Sequence, residues 1–147
     1  MSTDKPVFRD LSEEEVQAML RAHTYGRLAF AFHDRVDIEP IHYVYESGWL
    51  FCRSAPGSKI TTLRHHPWVA FEIDDVRGPF EWRSVVVKGA VYFLNGAPGA
   101  GSDAYRGGIH EALRRLVPGA LTSNDPTPGH TIAFGIHIDS IRGRASS

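Results

Sequence analysis

The segment from Arg53 to Ile60 carries the strongest chemical signal in the chain. An arginine at a strand end is followed by a loop of small residues, and then Ser58 and Lys59 open a helix. Such a loop lets backbone N–H groups approach a phosphate closely, while the helix start and the two cations supply positive charge. The spacing is not that of a Walker A loop. The segment is therefore a candidate phosphate site, and on these residues alone a turn followed by a solvated basic pair is the other interpretation.

A second candidate is the predicted strand that contains Ile38, Pro40, Ile41, His42 and Tyr43. Side chains alternate between faces along a strand, so the residues with even numbers should share one side. Apolar walls with a few polar groups suit a planar cofactor ring, and a histidine at its edge could transfer a proton. Taken alone, however, the segment favours packing, with the tyrosine in the core or at its rim and the histidine held by a hydrogen bond.

The third candidate is a long strand rich in valine and aromatic residues, predicted from Glu81 to Leu94. Trp82 and Ser84 should share one face, and Arg83 and Val85 the other. This composition is sufficient for a structural barrel strand. The functional interpretation is that the strand lies beside a cofactor ring, with a hydroxyl or backbone group at the polar edge of the ring.

Eight histidines and a single cysteine limit the metal and redox chemistry of the chain. One cysteine excludes an intrachain disulfide framework and a cysteine-rich zinc site. His137 and Asp139 share a strand face, but a third ligand at a suitable spacing is missing, so we expect no metal. Cys52 stands in an apolar strand and is expected in the core rather than as a reactive thiol.

Length and charge exclude several classes of protein. The chain has 147 residues and a formal net charge of -1, which suits one domain and argues against a strongly basic nucleic-acid binder. Its apolar runs fall short of the roughly 18 residues of a membrane span, and it begins without the apolar segment of a signal peptide. We therefore expect a cytoplasmic protein with a single domain over 1–147, in which 1–10 is a flexible N-terminus.

The elements that must position these residues are mainly strands. Ser12 and Glu15 have the spacing of a capping box, and Gly26 is the expected end of the first helix. Short helices are also expected before Pro67 and over about 102–116. Six strands fill the rest, and the proline at position 40 favours an edge or a bulge there. This pattern predicts a closed antiparallel β-barrel rather than a doubly wound α/β fold.

In this order and spacing, the pieces resemble the FMN-binding split-barrel superfamily of pyridoxamine 5'-phosphate oxidase, and most closely its small nitroimidazole-resistance-type branch. The resemblance spans Leu11 to Ile141. It rests on Tyr25-Gly26-Arg27-Leu28-Ala29, Pro40-Ile41-His42-Tyr43, Gly48-Trp49-Leu50-Phe51, Gly57-Ser58-Lys59, the run from Leu63 to Phe71, Trp82-Arg83-Ser84-Val85 and Lys88-Gly89-Ala90. It implies an all-β dominated fold, a six-stranded antiparallel split β-barrel, and a homodimer with two FMN sites at the subunit interface.

The same resemblance implies roles for individual residues. The FMN phosphate would be held by Arg53, Ser58 and Lys59. The ribityl chain and the isoalloxazine ring would be flanked by Ile38, Pro40, Ile41, His42 and Tyr43. The interface strand would contribute Trp82, Arg83, Ser84 and Val85. His42 is the candidate for proton transfer.

The activity that the resemblance implies is an FMN-dependent oxidoreductase that passes reducing equivalents from a reduced nicotinamide to a small organic acceptor. Two alternatives stay open: a flavin- or haem-binding module for sensing, storage or haem handling, and a deazaflavin-dependent reductase. Segments 95–101 and 118–129 match the family poorly and are expected to shape the pocket of a second ligand. The substrate motifs that pyridoxamine-phosphate oxidases carry near the C-terminus are not visible, so vitamin B6 oxidation is not expected.

Overall fold

The computed structural model describes residues 5–93, 111–120 and 122–147. Two helices, α1 and α2, cover Glu13–Ala22 and Ser58–His65, and residues 111–116 are also helical. The strands are β1 (Phe8–Asp10), β2 (Tyr25–Phe32), β3 (Arg35–His42), β4 (Val44–Glu46), β5 (Trp49–Ser54), β6 (Trp68–Gly78), β7 (Glu81–Phe93) and β8 (Ile132–Ser146). Positions 94–110, which include most of the third predicted helix, lie outside the described residues.

The first helix begins as predicted. The Ser12 hydroxyl accepts the Glu15 amide at 3.1 Å, and the Glu15 carboxylate accepts the Ser12 amide at 3.0 Å, which completes the capping box. The predicted end at Gly26 is wrong, because α1 stops at Ala22 and Gly26 lies within β2. A Cβ at position 26 would lie 2.3 Å from the ring of Phe71, so this glycine serves close packing rather than a helix cap.

The strands form one antiparallel sheet in the order β3-β2-β6-β7-β8-β5-β4, and β1 pairs with β8. The mainly β fold with short helices is therefore confirmed, and the described residues form a sheet of eight strands where the sequence predicts six. The second predicted strand is divided into β3 and β4, and β1 was not predicted at all. Pro40 lies in β3 at the end of the strand order, where a missing N–H is tolerated.

The N-terminal segment differs from the prediction at the residues that the structure describes. Residues 1–10 were expected to be flexible, but Phe8–Asp10 pair with Ser146–Arg144 at the end of β8. The amide of Val7 also donates to the carbonyl of Ser147 at 2.8 Å. Three paired residues are too few to show the alternation that marks a strand in a sequence, and their partner lies at the far end of the chain.

The two longest strands, β7 and β8, pair along most of their length and hold the sheet together. Their register shifts between Lys88 and Gly89, where Asp139 of β8 is the extra residue of a bulge opposite this glycine. A Cβ on Gly89 would lie 2.1 Å from the carbonyl oxygen of His137 on β8. Because a bulge bends and twists its strand, this position contributes to the rolling of the sheet around its core.

The rolled sheet encloses a hydrophobic core that α1 and α2 complete. Val16, Met19 and Leu20 enter it from α1, and Ile60 and Leu63 enter it from α2. Within the described parts of the chain, neither helix nor the segment 111–116 has the length and hydropathy that a membrane span requires.

Replacing Gly89 by alanine should destabilise the fold, because the new methyl group meets backbone rather than a movable side chain. We expect a loss of about 2 kcal/mol in the free energy of unfolding, the usual cost of overpacking. Gly78→Ala is the matched control, since a Cβ there meets open space and should change stability by less than about 0.5 kcal/mol. Urea denaturation measures both, and equal stabilities would contradict this assignment of Gly89.

Candidate functional site

A cavity of about 420 Å³ lies between β3, β5, the start of α2 and the chain that follows residue 115. Its volume falls within the roughly 300–1,000 Å³ typical of small-molecule sites. Five predicted site residues line it: Pro40, Ile41, His42, Arg53 and Lys59. The structure therefore brings the first two candidate segments of the sequence together around one cavity.

Lys59 lies at the N-terminus of α2, and a carboxylate on a neighbouring strand compensates its charge. Its Nζ lies 2.9 Å from a carboxylate oxygen of Glu39 on β3, and the Glu39 side chain is the more exposed of the two. The helix begins after Gly57, which provides no side-chain cap for the first amides. A positive helix end and a lysine whose partner can turn to solvent form an arrangement that suits an anion.

Ser58 is exposed at the first position of α2 and does not line the main cavity. It lines a smaller neighbouring cavity of about 200 Å³, which Lys59 also lines. The lysine therefore lies between the two cavities, and Ser58 faces the smaller one.

Arg53 is placed differently from the other predicted phosphate ligands. Its guanidinium binds the carboxylate of Asp125 with two nitrogens, one at 2.9 Å, and also donates to the Thr127 hydroxyl at 2.6 Å. The side chains of Arg53 and Asp125 are only 6% and 3% exposed. In this structure the guanidinium is thus directed at the loop that precedes β8.

The β3 segment divides between the cavity and the outer face of the sheet. Pro40, Ile41 and His42 line the cavity, whereas Ile38 is 66% exposed and does not. The imidazole of His42 is exposed and meets the ring of Tyr25 edge to face, with 5.1 Å between ring centroids. His42 therefore stands where a ligand and solvent could both reach it.

Tyr43 and Val85 require a correction, because their side chains belong to the core. Both are 0% exposed. The Tyr43 hydroxyl donates to the carbonyl of Leu20 at 2.7 Å, and burial raises the pKa of this phenol. Alternation along the strands directs both side chains inward, so neither the ligand contact predicted for the Tyr43 side chain nor the interface contribution predicted for the Val85 side chain is seen within this chain.

Trp82 and Arg83 line a different cavity, of about 520 Å³, together with Arg9 and the end of β8. Arg83 lies 3.3 Å from the carboxylate of Glu15. Ser84 is half-buried on β7, opposite Arg144 of β8. Within one chain the structure does not bring the third candidate segment to the cavity that contains Lys59.

The far wall of the main cavity was missed as a set of site residues. It is formed by Leu116, Val117, Pro126, Thr127 and His130. The sequence predicts that segment 118–129, which includes Pro126 and Thr127, shapes the pocket of a second ligand, but it singles out no residue of this wall. The contact that anchors it joins residues 72 positions apart, and short-range patterns carry no signal for such a contact.

Thiol and metal chemistry find little support around the cavity. Cys52 is fully buried, and burial raises the pKa of its thiol to about 12, so it is held as the unreactive thiol that the sequence predicts. Among the described residues, no three histidine, cysteine or acidic side chains are grouped so that they could hold a metal ion.

An antiparallel sheet that is rolled so that β3 and β5 line one cavity defines a split β-barrel. A family model described as pyridoxamine 5'-phosphate oxidase matches residues 12–145. The chain belongs to this family, as its sequence motifs predict. An uncharacterized protein of Rhizobium meliloti is 30% identical over 146 residues, which cover 94% of this chain and 95% of that protein.

Solved structures show the same fold. A FAD-binding protein from Mesorhizobium loti superposes with a TM-score of 0.74 at 30% identity, covering 96% of this chain and 99% of that one. A 5-nitroimidazole antibiotic resistance protein from Bacteroides thetaiotaomicron, so described, gives a TM-score of 0.73 at 14% identity, covering 97% and 90%. At that identity the second likeness concerns the fold alone.

Replacing Tyr43 by phenylalanine should reduce stability and leave the cavity unchanged. The substitution leaves the buried carbonyl of Leu20 without its partner, which costs about 1–2 kcal/mol. Thermal and urea unfolding measure the loss, and Tyr25→Phe on the exposed face is the control. A stability equal to that of the unaltered chain would contradict the structural role given to this hydroxyl.

Proposed function

We propose that the cavity between β3 and α2 binds a flavin nucleotide, FMN, and that the protein is an FMN-dependent oxidoreductase. The observation that carries the proposal is the meeting of an apolar strand segment and a lysine at a helix start in one cavity, within a chain of this family. The relative from Mesorhizobium loti is described as FAD-binding, which supports a flavin as the ligand class.

The phosphate end of the ligand is assigned to the start of α2. Lys59 supplies a full charge, and the first amides of the helix supply N–H donors. Ser58 adds a hydroxyl from the same turn. The exposed Glu39 carboxylate, which neutralises Lys59 in the structure, can rotate into solvent when a phosphate arrives.

The ring end is assigned to Pro40, Ile41 and His42. The proline and isoleucine exclude water from one side of the cavity, and the imidazole is the group that holds or moves a proton at the edge of the ring. When bound, the flavin supplies the hydride and electron transfer, with a reduced nicotinamide as donor and a small organic molecule as acceptor. A cytoplasmic location suits a protein with a free thiol at Cys52.

A homodimer is part of the same proposal. The outer face of the sheet carries a cross-strand row of Ile38, Ala29 and Ala70, and the exposed Trp68 lies beside Ala90 in the next row. The row continues to the exposed Lys88 of β7, so the small side chains form a flat apolar patch that is bordered by charge, and such a patch suits a second copy of the chain.

The dimer also gives a place to the third candidate segment. Trp82, Arg83 and Ser84 do not reach the main cavity of their own chain. We propose that they contribute to the site of the neighbouring subunit. Trp82 lies opposite Val76 on the same outer face of the sheet.

A charge placed on this face should break the dimer. Ile38→Lys buries an ammonium without a partner if the face is an interface, so we expect the dimer to weaken at least about tenfold. Val7→Lys is the control, because Val7 is similarly exposed but precedes β1. Light scattering during gel filtration measures both variants, and an Ile38→Lys protein with unchanged mass would contradict the interface.

Removing the Lys59 charge should weaken the binding of FMN and spare riboflavin, which lacks the phosphate. We expect Lys59→Ala to raise the dissociation constant of FMN about tenfold or more, while that of riboflavin stays within about twofold. Quenching of flavin fluorescence on titration with the full chain measures both constants. Glu39→Gln, which removes the competing carboxylate, should bind FMN at least as tightly as the unaltered chain.

Lys5→Ala, at an exposed position outside the cavity, is the control for the lysine. Equal losses of FMN and riboflavin in Lys59→Ala would contradict the phosphate assignment. A Soret band in the purified protein would indicate haem instead of a flavin. Failure to bind added FMN would contradict FMN as the cofactor. Bound flavin that is not bleached by reduced nicotinamide without oxygen would favour a binding module over an enzyme.

A further inference from the structure

The loop formed by residues 122–130 is a wall of the main cavity, and it is folded by local turns. The amide of Asp125 donates to the carbonyl of Thr122 at 3.2 Å, and that of His130 donates to the carbonyl of Thr127 at 3.0 Å. The carboxylate of Asp125 also accepts the amide of Thr127 at 2.8 Å, which makes an Asx turn. These bonds shape the loop but do not fix its distance from the barrel.

Arg53 fixes that distance. It lies on β5, which pairs with β4 and β8, and its guanidinium bonds to both Asp125 and Thr127 of the loop. Both charged side chains are almost fully buried, and the Asp125 carboxylate compensates the arginine. Removing Asp125 would take the acidic partner from a buried guanidinium, so the pair holds the loop far more firmly than a surface ion pair could.

The same pairing decides what the arginine can offer a ligand. Two of its nitrogens already meet the Asp125 carboxylate, and its charge is neutralised there. Asp125 occupies the bidentate face of the guanidinium and Thr127 takes a further N–H, so a phosphate bound at that face would have to displace the carboxylate and lift the loop off the cavity. Lys59, whose partner is exposed, offers its charge without such a rearrangement.

We infer that Arg53 is a positioning residue, which acts on the ligand through Asp125 by clamping loop 122–130 over the cavity, and that it is not a ligand of the phosphate. This inference rests on the proposed flavin site. Under this inference the start of α2 recognises the phosphate. The arginine fixes the position of the wall against which the rest of the ligand packs.

The test compares FMN and riboflavin binding to full-length variants. Arg53→Gln and Asp125→Asn should each weaken both flavins by the same factor, about tenfold, so that the ratio of the two dissociation constants stays within about twofold of the unaltered chain. The double variant should lose no more than either single variant, because the two residues act as one unit. Arg53→Lys keeps the charge without the bidentate geometry, so its flavin affinities should fall between those of the unaltered chain and those of Arg53→Gln.

Arg115→Gln is the matched control. Arg115 pairs with Glu46 at a half-exposed position on the helical segment next to Leu116, and it does not line the cavity. Its flavin affinities should stay within about twofold of the unaltered chain. Thermal unfolding of every variant identifies any protein that fails to fold.

A second readout needs no ligand. Hydrogen exchange at the amides of Thr127 and His130 should quicken in Asp125→Asn and Arg53→Gln, while exchange in β7 stays unchanged. Exchange that is unchanged in both variants would overturn the clamp, whether or not the unaltered chain binds flavin. Failure of the unaltered chain to bind flavin would instead contradict the proposed function. A selective loss of FMN in Arg53→Gln, or tighter FMN binding in Asp125→Asn, would show that the arginine does meet the phosphate.

Discussion

The main cavity exists because the sheet is rolled. Its walls include β3 and β5, which are not neighbours in the hydrogen-bonded order, since β2, β6, β7 and β8 lie between them. A flat sheet would hold these two strands apart, so the cavity depends on the twist and the bend that the inner strands impose. The shift of register at Gly89 is one such bend, and it lies on the longest pairing in the molecule.

Once the sheet is rolled, charge compensation organises the site. The cavity contains two cations, and each has an acidic partner from a distant part of the chain: Asp125 for Arg53, and Glu39 for Lys59. The two pairs differ in burial, and we propose different roles for them on that ground. A buried pair fixes the backbone that carries it, whereas a pair with an exposed carboxylate can exchange that carboxylate for a ligand at small cost. The near-neutral charge of the whole chain is therefore compatible with a site for a phosphorylated ligand.

Local chemistry made part of this structure predictable. The capping box at Ser12 and Glu15 and the edge position of Pro40 follow from short-range physics and are confirmed. The identity of the family follows from the order of the motifs. Gly26 shows the limit of such rules, because the ring that it accommodates belongs to a strand far along the chain.

Long-range contacts explain the rest of the differences. Tyr43 lies one residue beyond a strand that lines the cavity. Alternation directs its side chain into the core, where its hydroxyl donates to the carbonyl of Leu20. The sequence predicts that 118–129 is a loop that shapes a ligand pocket, yet the place of this loop in the structure depends on a pair of residues 72 positions apart. A short strand such as β1 depends likewise on a partner at the opposite end of the sequence.

The most direct test of this account is a crystal structure of the full chain grown with saturating FMN. We expect the phosphate at the start of α2, within hydrogen-bonding distance of Lys59, and the ring system between Pro40 to His42 and the loop that ends at His130. We also expect the guanidinium of Arg53 to remain on Asp125. FMN bound at another place, a phosphate seated on Arg53 with the loop displaced, or a cavity that stays empty at saturating FMN would contradict the account.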